Sequence, residues 1–352
     1  MKYSLLLVLF FTSPLLAQQS DWQIYGDARV RSEFNDTTTV AGDEADRHRM
    51  RHRLRVGAKY TASEDLTFNL RLVTGANDNP NSVHQDAGDV FNTFPVSLDR
   101  LHFTWSMNDD LDVMFGKFAN PIFRNPIYGE LVWDGDVSPE GIAFVHESGP
   151  MTMSFGQYVV TEDTASQDAD AWMSVASVDS SHDNFVFGAS YSFYGNMNGK
   201  GVFSGDNRTN AGSGDAFLSD FGILDAVVAY NMDNLMFSVE MIENMRADDS
   251  VGSSGLAFGV SYKMDNGDKF YIQHQAIDQD AIFTGFSQDD TLSQASNYEG
   301  QILGYKTKFE NGLGMHVWGM AVAPSDLDAA TGSVSSGDET EYRFRVDFNL
   351  KF

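Results

Sequence analysis

Along almost the whole chain, apolar and polar residues change places at every second position. In the last twelve residues, Tyr342, Phe344, Val346, Phe348, Leu350 and Phe352 share one face, and Arg343, Arg345, Asp347, Asn349 and Lys351 share the other. The stretch "NFVFGASYSFYG" divides the same way, with Phe185, Phe187, Ala189, Tyr191 and Phe193 against Val186, Gly188, Ser190 and Ser192. A period of two is what a β-strand with two unlike faces requires. No segment reads at period 3.6, so an all-β fold is expected.

Sixteen such segments are expected. They run from Trp22 to Phe34, Arg47 to Ala62, Leu66 to Gly75, Val96 to Met107, Leu111 to Ala119, Gly141 to Glu147, Met151 to Thr161 and Trp172 to Asp179. The second half continues with Phe185 to Gly195, Phe221 to Asn231, Leu235 to Met245, Gly255 to Met264, Lys269 to Ile277, Tyr298 to Phe309, Leu313 to Ala323 and Glu341 to Phe352. The connections alternate in length. One set is tight ("ASED", "NDD", "SGP", "MDN", "NG"); the other is long and polar ("ANDNPNSVHQDAGDVFNTFP", "APSDLDAATGSVSSGDET"). A soluble sandwich has no reason to sort its connections in this way. A transmembrane antiparallel β-barrel of about sixteen strands, with short periplasmic turns and long extracellular loops, does.

The first residues, "MKYSLLLVLFFTSPLLAQQS", supply a cation at Lys2, an apolar run from Leu5 to Phe11 and a small residue at Ala17. That is the layout of a secretory signal over residues 1–17, with the barrel occupying 18–352. Its apolar run is too short for a spanning helix. There is no cysteine, which excludes disulfides and thiolate metal sites. The formal net charge is -27, and loss of Lys2 with the signal makes it one unit more negative, which argues against nucleic acid as a partner.

These features resemble bacterial outer-membrane porins. Phe352, preceded at two-residue steps by Leu350, Phe348, Val346, Phe344 and Tyr342, resembles the C-terminal assembly signal that such barrels present to their insertion machinery. The segment "FGKFANPIF" is similar to a strand end running into a Pro-containing loop in general and phosphate-selective porins. The resemblance implies an outer-membrane location, contact with lipid and lipopolysaccharide, a homotrimer, and passive diffusion of small hydrophilic or anionic solutes through a water-filled channel.

The charged residues then need a place. In "RHRMRHRLRVGAKY" five arginines, from Arg47 to Arg55, occupy alternate positions, with Met50, Leu54, Val56, Ala58 and Tyr60 on the other face. An arginine near the lipid midplane costs about 2–4 kcal/mol, so the ladder must look into the lumen. Closure of the barrel brings the last strand beside the first. Arg29, Arg31, Arg49, Arg51, Arg53, Arg55, Arg71, Arg100, Arg343 and Arg345 are therefore expected to form one basic wall, with His102 and Lys59 on the same face. Ladder neighbours stand about 6.6 Å apart, within a Debye length of about 8 Å, and repel unless compensated. Asp27, Glu33 and Asp347 share their face. By the porin resemblance, the third long loop (residues 120–140) is the expected constriction loop, placing Glu130, Asp134, Asp136 and Glu140 opposite the wall. The remaining loop acids, Asp43, Glu44, Asp46, Asp278, Asp280, Asp289 and Asp290, are expected to be solvated or to bridge lipopolysaccharide.

The rival functions have weaker support. No EF-hand spacing occurs, and His48 and His52 would stand about 13 Å apart on a strand, too far to share a metal ion. His52 is expected at an interface belt or between subunits. No G-x-S-x-G, P-loop or H-E-x-x-H is present, so neither an enzyme nor a cofactor is expected. An adhesin or structural barrel, a barrel enzyme assembled from distant strands, and a secreted soluble sandwich are the alternatives.

Overall fold

The computed structural model describes residues 21–37, 46–75, 80–162, 170–198, 209–213, 216–292, 295–325 and 340–352. The expected signal segment, Asp43 and Glu44 lie outside the described residues. Sixteen strands form the wall: β1 (Trp22–Asp36), β2 (Arg47–Thr61), β3 (Leu66–Thr74), β4 (Val96–Asn108), β5 (Leu111–Lys117), β6 (Glu140–Ser148), β7 (Met151–Thr161) and β8 (Ala171–His182). They continue as β9 (Phe185–Gly195), β10 (Phe221–Met232), β11 (Leu235–Asn244), β12 (Ser254–Lys263), β13 (Lys269–Ile277), β14 (Tyr298–Lys308), β15 (Gly314–Pro324) and β16 (Glu341–Lys351). Every neighbouring pair is antiparallel, and β1 pairs with β16 from Asp27↔Lys351 to Asp36↔Tyr342. The sheet is thus closed. Main-chain bonds between Gly26 and Phe352, at 2.9 and 3.1 Å, finish the seam.

The sixteen expected strands are all present, and three have the expected ends. β8 differs most, running on to His182 because the Asp183–Asn184 turn lets Ser180, Ser181 and His182 pair directly with Phe187, Val186 and Phe185. Backbone pairing does not require the side-chain alternation to continue.

The two faces follow the pleat. Leu303, Met241, Phe258, Phe344 and Leu350 point outward and are exposed as a lipid-facing belt would be. Arg31, Arg51, Arg53, Arg71, Arg343 and Arg345 point inward and are buried. One local device interrupts the period. A bulge between Arg71 and Leu72 pairs Arg71 with Arg100 and Leu72 with Leu98, leaving Asp99 as the extra residue. Asp99 and Arg100, although adjacent, both serve the lumen, and Asp99 forms an ion pair with Arg71.

The apolar core sits inside the barrel. Phe118, Leu131 and Trp133 of the 118–139 loop join Ile282 and Phe283 of the 278–297 loop against Tyr194, Phe221 and Ile223 of the wall. Burying each large side chain contributes about 1.5–3 kcal/mol, enough to draw both loops out of solvent. Half of the lumen is filled, and the arginine half is left facing the loops.

Inserting Leu303→Arg on the lipid face of β14 should lower the folding free energy in lipid vesicles by about 2–4 kcal/mol, measured by urea titration.

Candidate functional site

The register of β1 sets the electrostatics of the wall. Arg29 stands opposite Arg53 and Arg31 opposite Arg51, so two pairs of like charges face one another across the β1–β2 ladder. Acids occupy the alternating places: Asp27 opposite Arg55 and Glu33 opposite Arg49 on one side, and Arg31↔Asp347 and Glu33↔Arg345 on the other. Glu33 is fully buried, accepting from Arg49 Nε at 2.6 Å and Arg345 Nε at 2.8 Å, with Arg51 at 3.7 Å. Arg31 makes a two-point bond to Asp347 at 2.7 and 3.0 Å. Asp27 accepts from Arg53 at 3.0 Å and Arg55 at 2.7 Å, while Arg29 donates to Asn349 at 2.6 Å.

The outlying arginines take other partners. Arg100 donates to Ser138 at 3.1 Å, and Arg343 donates to Asn35 at 2.9 Å. His102 lies beside Lys117 O at 3.2 Å, in the lumen. Asp86, carried by a short strand over Gln85–Asp86 that pairs with Arg51 and His52, reaches Arg47 at 2.7 Å and Arg51 at 3.0 Å.

The 118–139 loop crosses the interior. Phe123 N donates to Ser177 of β8, Asn125 donates to Glu240 of β11 at 2.7 Å, and Lys269 of β13 donates to Pro126 O. Gly188 of β9 admits this crossing, because a Cβ there would fall 1.9 Å from the Phe123 ring. Of the four loop acids placed opposite the wall by sequence, only Asp136 forms ion pairs with it among the described residues, at 3.1 Å to Arg53 and 3.2 Å to Arg55. Asp134 turns back to accept from Asp136 N at 2.7 Å, and Glu140 pairs with Lys117 at 2.8 Å. Glu130 faces the water-filled space beside Arg29.

The expectation of solvated loop acids fails at Asp280 and Asp290. Asp280 is fully buried because Ala211 N, Asn210 and Ser219 donate to its carboxylate in place of water. Asp290 forms an ion pair with Arg345 and accepts from Tyr128 at 3.0 Å. Asp46 is exposed, and Asp278 caps Ser254 at the loop edge.

Two water-sized spaces follow the wall. The upper, about 170 Å³, lies among Arg53, Arg55, Ser82, His84, Asp136 and Asp289. The lower, about 190 Å³, lies among Tyr128, Tyr271, Lys306, His316, Trp318 and Asp347. Both spaces are also lined by Arg29, Arg31, Glu130 and Asp290, which form the neck between them. Burial, with Asp290 and Asp136 nearby, raises the Glu130 carboxyl above its ordinary range. Burial and the surrounding arginines push His84 well down, so it is neutral at pH 7.

A closed sixteen-strand barrel with an apolar exterior and a charged, loop-lined interior is an outer-membrane β-barrel of the channel-forming class. A family model described as "Putative porin" (Porin_5) matches residues 18–206, more than half of the chain, and the chain belongs to that family. It is an outer-membrane porin of bacteria, a class of channels rather than enzymes. No curated protein matches it in sequence. An anion-selective porin from Comamonas acidovorans superposes at TM-score 0.61 with 13% identity, covering 94% of this chain and 99% of that one. OmpF of Salmonella typhi, solved with daunomycin, superposes at 0.59 with 13% identity, covering 94% and 97%. A mutant of the Rh. blastica porin gives 0.57 with 14% identity, covering 94% and 100%.

Replacing the buried hub by Glu33→Gln leaves Arg49 and Arg345 without their shared acceptor and should cost about 3–5 kcal/mol of folding free energy, read by urea unfolding in detergent or vesicles.

Proposed function

We propose that the barrel is a passive channel for small hydrophilic solutes in which the β16–β1–β2 arginine wall gives a local preference for anions. The observation that carries this reading is the concentration of ten arginines on one lumen wall while the apolar loop core occupies the opposite half. Charge and width sort solutes at such a wall without any covalent chemistry. Asp136 offsets Arg53 and Arg55, so it moderates the preference. The loop 118–139 is the constricting element, Phe352 serves as the assembly signal, and the barrel works as a homotrimer among lipid and lipopolysaccharide. The likeness to a porin described as anion-selective agrees with this reading at the level of fold.

A second reading is a structural or adhesive barrel with no open pore, favoured by the half-filled lumen. Planar-bilayer recordings under a KCl gradient separate the two. Stepwise current, with the reversal potential moved toward cations by Arg51→Ser and Arg53→Ser together, supports the channel; a silent but correctly inserted barrel supports the alternative. Asp136→Asn should move the reversal potential toward anions.

The raised Glu130 carboxyl gives a pH dependence. Its proton is taken up above the ordinary carboxylate range, so acidification removes a negative charge from a neck that also holds Asp290, Arg29 and Arg31, with Asp134, Asp136 and Asp289 above it. Anion preference should therefore rise as pH falls through that window. Glu130→Gln should flatten this part of the profile, measured as reversal potential against pH.

A further inference from the structure

We propose that the 278–297 loop is a second constricting element and that Asp290 is a selectivity-determining residue of the neck. The inference rests on the channel reading and adds to it a loop whose sequence suggested only a solvated connection.

The loop is tied into the lumen from four directions. From above, Asn210 donates to Gln279 O and Ile282 O at 3.0 and 2.9 Å and accepts from Thr284 N at 2.9 Å. From the wall, Gln275 accepts from Gln288 at 3.1 Å. From the side, Asn81 donates to Ser287 O at 2.6 Å, and from the 118–139 loop Asp134 N donates to Phe286 O at 2.7 Å.

These ties deliver the loop's two acids to β16. Arg343 Nη1 donates to the main-chain carbonyls of Asp289 and Asp290 at 3.2 and 3.0 Å. The Asp290 carboxylate is held by Arg345 on the wall and by the Tyr128 hydroxyl on the other inserted loop. A carboxylate fixed from both sides cannot swing out of the path as a solvated side chain would.

Position makes the fixed charge consequential. Arg29, Arg31, Glu130 and Asp290 line both the upper and the lower space, whereas Asp136 lines only the upper one. The acidic side of the neck is therefore contributed by two different loops, Glu130 from one and Asp290 from the other. An ion moving between the spaces passes Asp290 against two arginines.

Planar-bilayer recording on the full barrel tests this. Asp290→Asn should raise the anion-to-cation permeability ratio by about threefold, the Boltzmann factor for one elementary charge at about 6 Å in water. Because the chain contains no cysteine, Asp289→Cys can be modified uniquely without disturbing the Arg345 pair. Its reaction with a cationic methanethiosulfonate reagent should cut single-channel conductance, whereas the same reaction at Asp46→Cys should not. That readout stands even where the Asp290→Asn barrel fails to assemble. Conductance unchanged after complete modification at position 289, or a position 289 that reacts only after unfolding, overturns the inference while leaving a conducting porin. An Asp290→Asn channel with unaltered selectivity does the same. A wild-type barrel that carries no current overturns the channel reading and this inference together.

Discussion

The wall depends on a carboxylate that water does not reach. Glu33 sits on β1, the strand that joins the two ends of the barrel, and holds Arg49 of β2 and Arg345 of β16. Taking a charge out of water costs several kcal/mol unless its partners are already in place. Here the closure of the sheet puts them in place. The seam and the arginine ladder are thus one problem with one solution: closure brings three cation-bearing strands together, and Glu33, Asp27 and Asp347 make their juxtaposition tolerable. With these acids absent, Arg29↔Arg53 and Arg31↔Arg51 would be bare like-charge pairs in the middle of a sheet.

The compensation is uneven along the wall. Glu33 and Asp347 bind arginines tightly at the β1–β16 seam, while Arg53 and Arg55 share Asp27 and then draw Asp136 down from a loop. Loop insertion is therefore partly an electrostatic event. The apolar run Leu131–Val132–Trp133 and the pair Ile282–Phe283 supply the burial that makes it favourable, and the wall supplies the docking points.

The strands and their faces were legible in the sequence because period two carries one decision per residue, inward or outward, and an arginine in lipid is too costly for that decision to be ambiguous. Closure then placed Arg343 and Arg345 beside Arg31 without further information. The loop acids were not legible by that means. Glu130, Asp134 and Asp136 lie within seven residues of one another, yet only Asp136 pairs with the ladder, because each turn of an irregular loop re-aims its side chains. Asp99 escaped for a related reason: a bulge breaks the period where it acts. A signal for the inserted 278–297 loop was nevertheless present. "AIFTGF" carries more apolar surface than a solvated connection needs, and its burial is what brings Asp289 and Asp290 to the wall.

The opposition between a chain of charge -27 and a wall of arginines resolves through this geometry. An acid on the barrel's exposed mouth is screened within about 8 Å and acts on distant ions only weakly. An acid carried by an inserted loop meets the wall at hydrogen-bond distance, in a space of under 200 Å³ where few waters intervene. The sign that a solute meets is therefore set by the few acids that folding draws inward, and overall composition gives little guide to it. Two loops of moderate length control which acids those are, so altering a loop can retune the lumen while the strands, their register and the seam stay as they are.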